Sequence, residues 1–533
     1  MLKRCQALKA KWQSRNSKFK VWYDMLKLKD ELKQEGMESV VSNDPRTGYN
    51  LARHLLVRSV IAHKVVQDGL LPEQVNATSY LEEYVTKRWL EHEARYRRSS
   101  KQGWLWYLTS WMMATGWVSL FSIVEEDRIW SEVWNPVEVF PGYDDEGLAE
   151  VVHVYTLQAD SANRKAQKMG WTLSSKFDRA VNLYDYWLFD DNGNVTNMVI
   201  IGREFAKLPE IDTALSKVNR LPVFVYQAGG LPDMGSIDTK WQEHIGESII
   251  ATNEDLAKNY NKMLTYTQQL IRDTANPKYF EQSTGETPIL TQENLYKRGA
   301  IFRGAVGDKI DILSAPAIPV ELRTAMFDYQ GMTQRGLFPW SVFGNVQQQM
   351  SYLAMANVAA SSMQTLSPYQ SMLSGVLSDI DTYWIEMMLS NGFRPHGFKK
   401  PSDLPEHSEF DVQLDVEIPG YMVQKATTSR MLNPNFRLPA SWIMDKMFPE
   451  LRDNVKAQAQ VRKEDAMMHP LAIMADSIIA YKEQSKLLRD AGDSEAADVY
   501  DRLVTAMEAQ MTGQVQPGQA PPVTATNEVL PRE

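Results

Sequence analysis

Cysteine is almost missing from this sequence: Cys5 is the single one in 533 residues. That excludes an intramolecular disulfide and a cysteine-built zinc site, and it points to a reducing compartment. Phosphate-loop, His-Glu-x-x-His and Gly-x-Ser-x-Gly patterns are also missing. Their absence removes an ATP-driven motor, the helix-motif zinc proteases and the nucleophile-elbow hydrolases. The eight histidines are scattered from His54 to His469 without ligand spacing, so no catalytic residue, metal or cofactor is expected. The basic stretch of Lys3, Arg4, Lys9, Lys11, Arg15, Lys18 and Lys20 is followed by no apolar core, so it does not read as a signal peptide. Long uncharged runs are equally scarce. The run 104–124 is long enough to span a bilayer, but it contains Thr109, Ser110, Thr115, Gly116, Ser119 and Ser122. Its second half is β-branched and aromatic, so the expectation is a buried helix, a turn at Gly116 and a strand, with no membrane span.

Some residues invite a chemical reading. His92 lies within Glu91-His92-Glu93, and Glu125-Glu126 and Asp144-Asp145 are paired carboxylates. A solvated helix face is expected for His92. The first carboxylate pair, read as strand neighbours, points to opposite faces, and the second sits in a turn.

What is present is ordinary folded composition, 44% hydrophobic and 23% charged, at a length that calls for several domains or one elongated multi-part subunit. The fold class expected is α+β, predominantly helical. Helical spacing runs through Trp12, Phe19, Trp22 and Leu26, then through Leu51, Leu55, Val60 and Ile61 after the Asn43-Asp44-Pro45 turn. Strand texture follows at 118–124, 133–140, 151–157, 183–189, 195–201 and 223–226, with Asp190-Asp191-Asn192-Gly193 as a hairpin loop. A long helix is expected over 237–272, striped by Trp241, Ile245, Ile249, Leu256 and Tyr260. A compact module with strands at 300–303 and 309–313 comes next, then a helix from Pro319 to Arg335. An aromatic loop bounded by Gly336 and Gly344 leads to a small-residue helix over 347–389, interrupted at Pro368, and a strand at 410–418. The remainder reads as helices at 454–465, 471–491 and 494–511, with a disordered tail rich in Pro, Gly, Gln and Thr.

That order of elements resembles the portal proteins of tailed bacteriophages. Local stretches resemble the family too: Trp134-Asn135-Pro136-Val137-Glu138-Val139-Phe140-Pro141, Leu221-Pro222-Val223-Phe224-Val225, and Gly246-Glu247-Ser248-Ile249-Ile250 through Asn259-Tyr260-Asn261-Lys262. The resemblance implies an elongated portal-like subunit: wing 1–236, stem helix 237–276, clip 277–318, second stem helix 319–335, tunnel loop 336–350, wing helix and strand 351–420, helical crown 421–511, disordered tail 512–533. It implies a non-enzymatic homo-oligomer, a dodecameric ring at one capsid vertex of the virion, assembled in the host cytoplasm. Its partners would be double-stranded DNA in the lumen, the terminase motor and then the head-tail adaptor, the major capsid protein and a scaffolding protein. Phe338, Trp340, Phe343, Gln347, Gln348 and Gln349 would line the channel, with packing as the alternative for the aromatics, and Tyr296, Lys297, Arg298, Arg303 and Lys309 would dock the motor or adaptor. A net charge of −10 suits a passage in which DNA slides rather than is held. Two other classes stay open at this point: a phage DNA-processing enzyme with a carboxylate-metal site, and a membrane-associated ejection protein resting on 104–124.

Overall fold

The computed structural model describes residues 1–33, 38–66, 72–174, 176–275, 278–286, 288–291, 301–313, 319–338, 364–404, 408–415, 421–432, 443–444, 448 and 454–511. The chain divides into two compact units, Met1–Met431 and Leu432–Glu533, and mixes helix and strand.

The first unit opens on helices α1 (Leu2–Lys11) and α2 (Gln13–Leu26), which meet at Trp12. The indole of Trp12 is buried and donates to the Pro141 carbonyl at 2.7 Å. Arg15, one turn on, is buried with its guanidinium 4.9 Å from the Trp12 ring and 4.7 Å from that of Trp117. It donates to the carbonyls of Pro136 and Val139, so its charge is held by aromatic faces and backbone oxygens. Burial pulls its pKa down to about 9.

Helix α3 (Asp44–Val57) has Pro45 in its first turn and is followed by strand β1 (Val60–Val65), where a continued helix was expected. Helices α4 (Pro72–Arg98) and α5 (Trp104–Thr115) come next. The uncharged run resolves as expected: α5 ends at Gly116 in the left-handed conformation and β2 (Trp117–Val124) begins at once. Among the described residues no helix is long and apolar enough to cross a membrane.

Two antiparallel sheets follow. β2 pairs with β3 (Ile129–Trp134) on one side and β9 (Val223–Gln227) on the other. The second sheet is a meander of β4 (Val139–Asp144), β5 (Gly147–Leu157), β6 (Val181–Phe189), β7 (Val195–Ile201) and β8 (Glu204–Ile211), in that order. The continuous strand expected over 133–140 is instead two, because Asn135-Pro136 forms a capped turn whose Asn135 Oδ1 accepts from the Val137 amide. Helix α6 (Ala159–Met169) bridges β5 and β6, and α7 (Thr213–Val218) is capped by Asp212. The Asp190 loop is a hairpin turn, with Asp190 Oδ1 accepting from the amides of Asn192 and Asn194.

Strand β3 is an edge, and α4 covers it. His92 Nε2 accepts from the Ser131 amide at 3.2 Å, Arg95 donates to the Ser131 carbonyl, and Tyr96 Oη accepts from the Val133 amide at 3.0 Å. Three side chains on one helix face thus stand in for a missing strand.

The helix expected from 237 starts later, as α8 (Glu254–Ala275). Gly246 has φ +72°, and a Cβ there would lie 2.6 Å from Trp117 Nε1. At Gly116 a Cβ would lie 2.3 Å from the Glu247 amide nitrogen. The two glycines let residues 246–247 press onto the α5–β2 turn, and that path is incompatible with a helix.

After α8, β10 (Lys278–Gln282) pairs antiparallel with β11 (Lys309–Leu313), and α9 (Val320–Gly336) returns. The strand expected at 300–303 is not there: residues 301–303 carry no strand, and β11 pairs with β10 instead. Helix α10 (Ser367–Asn391) is the spine of the core, burying Leu373, Val376, Leu377, Ile380, Tyr383 and Trp384. Pro368 lies in its first turn, where a missing amide costs nothing, and the part of the expected helix over 347–363 lies outside the described residues. The unit closes with β12 (Phe410–Asp415), paired to β1, and α11 (Tyr421–Arg430).

In the second unit α12 (Asn454–Met467) precedes a hairpin of α13 (Pro470–Asp490) and α14 (Ser494–Met511). Ile478, Ala497 and Val504 are buried there, and Ser485 donates to Asp501 at 2.7 Å.

Candidate functional site

Helices α8 and α9 run antiparallel: Asn253 Nδ2 donates to the Thr333 carbonyl, Gln330 to Tyr260 Oη, and Thr267 Oγ1 meets Met326 Sδ. Falling numbers on α9 against rising ones on α8 fix the direction. The pair has the β10–β11 ribbon at its far end and is poorly covered. Tyr266 is 59% exposed and Phe327 66%. On the ribbon Phe280 is 51% and Ile312 58% exposed, with Tyr279, Ile301, Val306 and Ile310 also out in solvent. A two-stranded ribbon is marginal alone, and its register pairs Tyr279 with Ile312 while Phe280 lies on the opposite face.

Gly336 is the last residue of α9 and not a left-handed hinge. Its glycine is needed because Asn253 Oδ1 passes 2.2 Å from where a Cβ would be, while Thr252 Oγ1 donates to its carbonyl. Phe338 was read as a channel residue with packing as the alternative; its ring is 2% exposed inside the main core of the subunit, which agrees with packing. Trp340, Phe343, Gln347, Gln348 and Gln349 lie outside the described residues, as do Tyr296, Lys297 and Arg298. Arg303 is exposed, and Lys309 begins β11 opposite Gln282.

No protein-family model matches the chain, and no curated protein matches it in sequence. Solved structures do align with it. One is described as the neck of a native GTA particle computed with C12 symmetry, at 11% identity and TM-score 0.39, covering 76% of this chain and 89% of that one. Another, the neck of an empty GTA particle computed with C6 symmetry, aligns at 10% identity and TM-score 0.39, over 76% and 90%. Likenesses of that size do not establish a shared fold.

The residues that invited chemistry prove structural. His92 is buried, not on a solvated face: Nδ1 donates to the Arg88 carbonyl at 2.8 Å while Nε2 accepts from Ser131. Those roles require the neutral ring, and burial lowers its pKa to about 4. Glu125 sits in the turn after β2, bound to Arg128, and Asp144 Oδ1 accepts from the amides of Glu146 and Gly147. Among the described residues no cluster of three or more His, Cys, Asp or Glu is placed to hold a metal.

Sequence reasoning missed two arrangements. One is a buried triad: His63 Nδ1 is 2.5 Å from Asp381 Oδ2, and Trp89 Nε1 donates to Asp381 Oδ1 at 2.7 Å. Burial raises the Asp381 carboxyl, with His63 opposing. The triad ties β1, α4 and α10 together across more than 300 residues of sequence, and no local pattern announces it. The other is a groove of about 2070 Å³ between the two sheets. Its walls include Phe121 stacked on Trp134 at 5.0 Å, with His153 also stacked on Trp134 at 4.0 Å. On its floor Asn197 donates to Asp185 at 2.8 Å and accepts from Lys207 at 3.1 Å. This arrangement offers stacking faces and carboxylates, which suit binding rather than bond-making.

Proposed function

We propose that this chain is a portal-type subunit: a non-enzymatic protein that closes head-to-tail into a ring, dodecameric by resemblance, through which viral DNA passes at one capsid vertex. The observation that carries the reading is the α8–ribbon–α9 projection, whose apolar side chains the chain leaves exposed. Neighbours in a ring would cover them, and a heterologous contact that closes is the simplest way to give every copy the same cover. In this reading the helix pair is the stem and the ribbon module the clip. The clip would bind terminase during filling and the head-tail adaptor afterwards, with the capsid and scaffolding proteins around the body. The segment that follows Phe338 is the part expected to approach DNA.

Native mass measurement and electron microscopy of the purified full chain test this. A closed ring of uniform copy number is the expected result; a stable monomer or dimer under all conditions sinks the proposal.

A further inference from the structure

We propose that the basic α1–α2 surface of one copy docks into the aromatic groove of the next, with Lys3, Lys9 and Lys20 facing Glu132 and Glu138. This rests on the ring reading above and names the charge pairs that would orient it.

Strand alternation places the two surfaces on opposite faces of the five-stranded sheet. Val152 and Tyr186 are paired in register and share a face with Glu150, to which both Arg4 of α1 and Tyr186 bond. His153 and Asp185, also in register, point the other way and line the groove. A surface and its complement on opposite faces cannot meet within one subunit. They can meet only between successive copies, which is the geometry of a ring or a filament.

Charge decides what fits. The chain carries −10 overall, yet residues 1–20 hold seven cations and no carboxylate. Three of those are used internally: Arg4 on Glu150, Arg15 in its aromatic cage and Lys18 on Glu254 at 2.8 Å. Lys3, Lys9, Lys11 and Lys20 are exposed on the outer side of the helices. Seven carboxylates and five Lys or Arg side chains line the groove, and setting aside its two internal ion pairs leaves five carboxylates against three cations. Arg128 is held by Glu125 and Lys207 by Glu210, while Lys165 donates to Tyr155. Glu132 is exposed, and Glu138 is 3.8 Å from His153. Complementary rims of this kind mainly set orientation and association rate.

The test is a charge-swap series on the full chain, read by native mass and light scattering across ionic strength. Lys3→Glu/Lys9→Glu/Lys20→Glu and, separately, Glu132→Lys/Glu138→Lys should each cut ring formation about tenfold or more at low salt. Circular dichroism should stay unchanged, since the substituted side chains make no core contact. Combining both sets in one chain should restore rings. Rings untouched by either set, or no rescue in the combined variant, would overturn the proposal while leaving the ring reading intact. If the lysine set leaves rings intact and weakens only the binding of a duplex DNA probe, the basic face belongs to DNA and the proposal also fails. A wild-type chain that never forms rings removes both readings together.

Discussion

The main body and the α8–ribbon–α9 projection belong to one compact unit, yet they handle apolar side chains in opposite ways. In the body, Trp89 stacks on Trp104 at 4.3 Å and lies 4.6 Å from Trp384, all buried, and Trp384 Nε1 finds Ser122 Oγ at 2.7 Å. In the projection, Phe280, Ile312, Tyr266 and Phe327 meet solvent. The same residue types are satisfied within the chain in one place and left for something outside it in the other. Stability of the subunit should therefore live in the body, and the apolar part of assembly in the projection.

The largest effects on folding should come from the body. Trp384→Ala removes a fully buried indole and is expected to destabilise by about 3–5 kcal/mol, read as a shift in the urea midpoint of assembly-incompetent subunits. Phe338→Ala should behave as a core deletion of similar size, about 3–5 kcal/mol. A near-neutral result would return Phe338 to the channel and break the comparison. Gly116→Ala combines a left-handed φ with a Cβ 2.3 Å from the Glu247 backbone, and should cost at least about 2 kcal/mol.

Acid should reach the body through His92. Its folded pKa of about 4 lies below the value of about 6.5 expected when unfolded. The folded state therefore binds fewer protons between those values, so stability is full above about pH 6.5 and falls as pH drops towards 4. The loss is on the order of 3 kcal/mol at most. The raised Asp381 carboxyl gives the opposite slope, so the comparison to make is wild type against His92→Gln. The variant should show a flatter fall through that window, and an unchanged profile would mean that His92 is not held neutral by the β3 edge.

The parts of this fold that were legible in sequence are those whose cause is local. Strands β6, β7 and β9 announce themselves by β-branched and aromatic runs between turn residues, and the helical hairpin of the second unit by Pro470 and the Gly492 break. Strand β8 was invisible because an edge strand carries Lys207 and Pro209, residues that blunt pairing. The late start of α8 was invisible for another reason. Gly246 matters through Trp117, a contact that encloses every strand from β2 to β9, and no window of neighbouring residues contains it. The groove and the His63–Asp381–Trp89 triad belong to the same class: each is assembled from strands and helices far apart in the chain.

The smallest expected effect on folding sharpens the comparison most. Phe327→Ser with Ile312→Ser replaces two large apolar side chains, a change that in the body would be ruinous. Both are more than half exposed, so little transfer free energy is lost, and the unfolding free energy of the isolated subunit should move by less than about 0.5 kcal/mol. Ring formation is a different matter. Burying the exposed part of each side chain against a neighbour is worth roughly 1–2 kcal/mol, repeated at every interface of the ring, so the double variant should remain folded and monomeric at concentrations where the wild type assembles. A variant that loses both fold and assembly would show that the projection is part of the body's core after all, and one that loses neither would leave its apolar surface without a role.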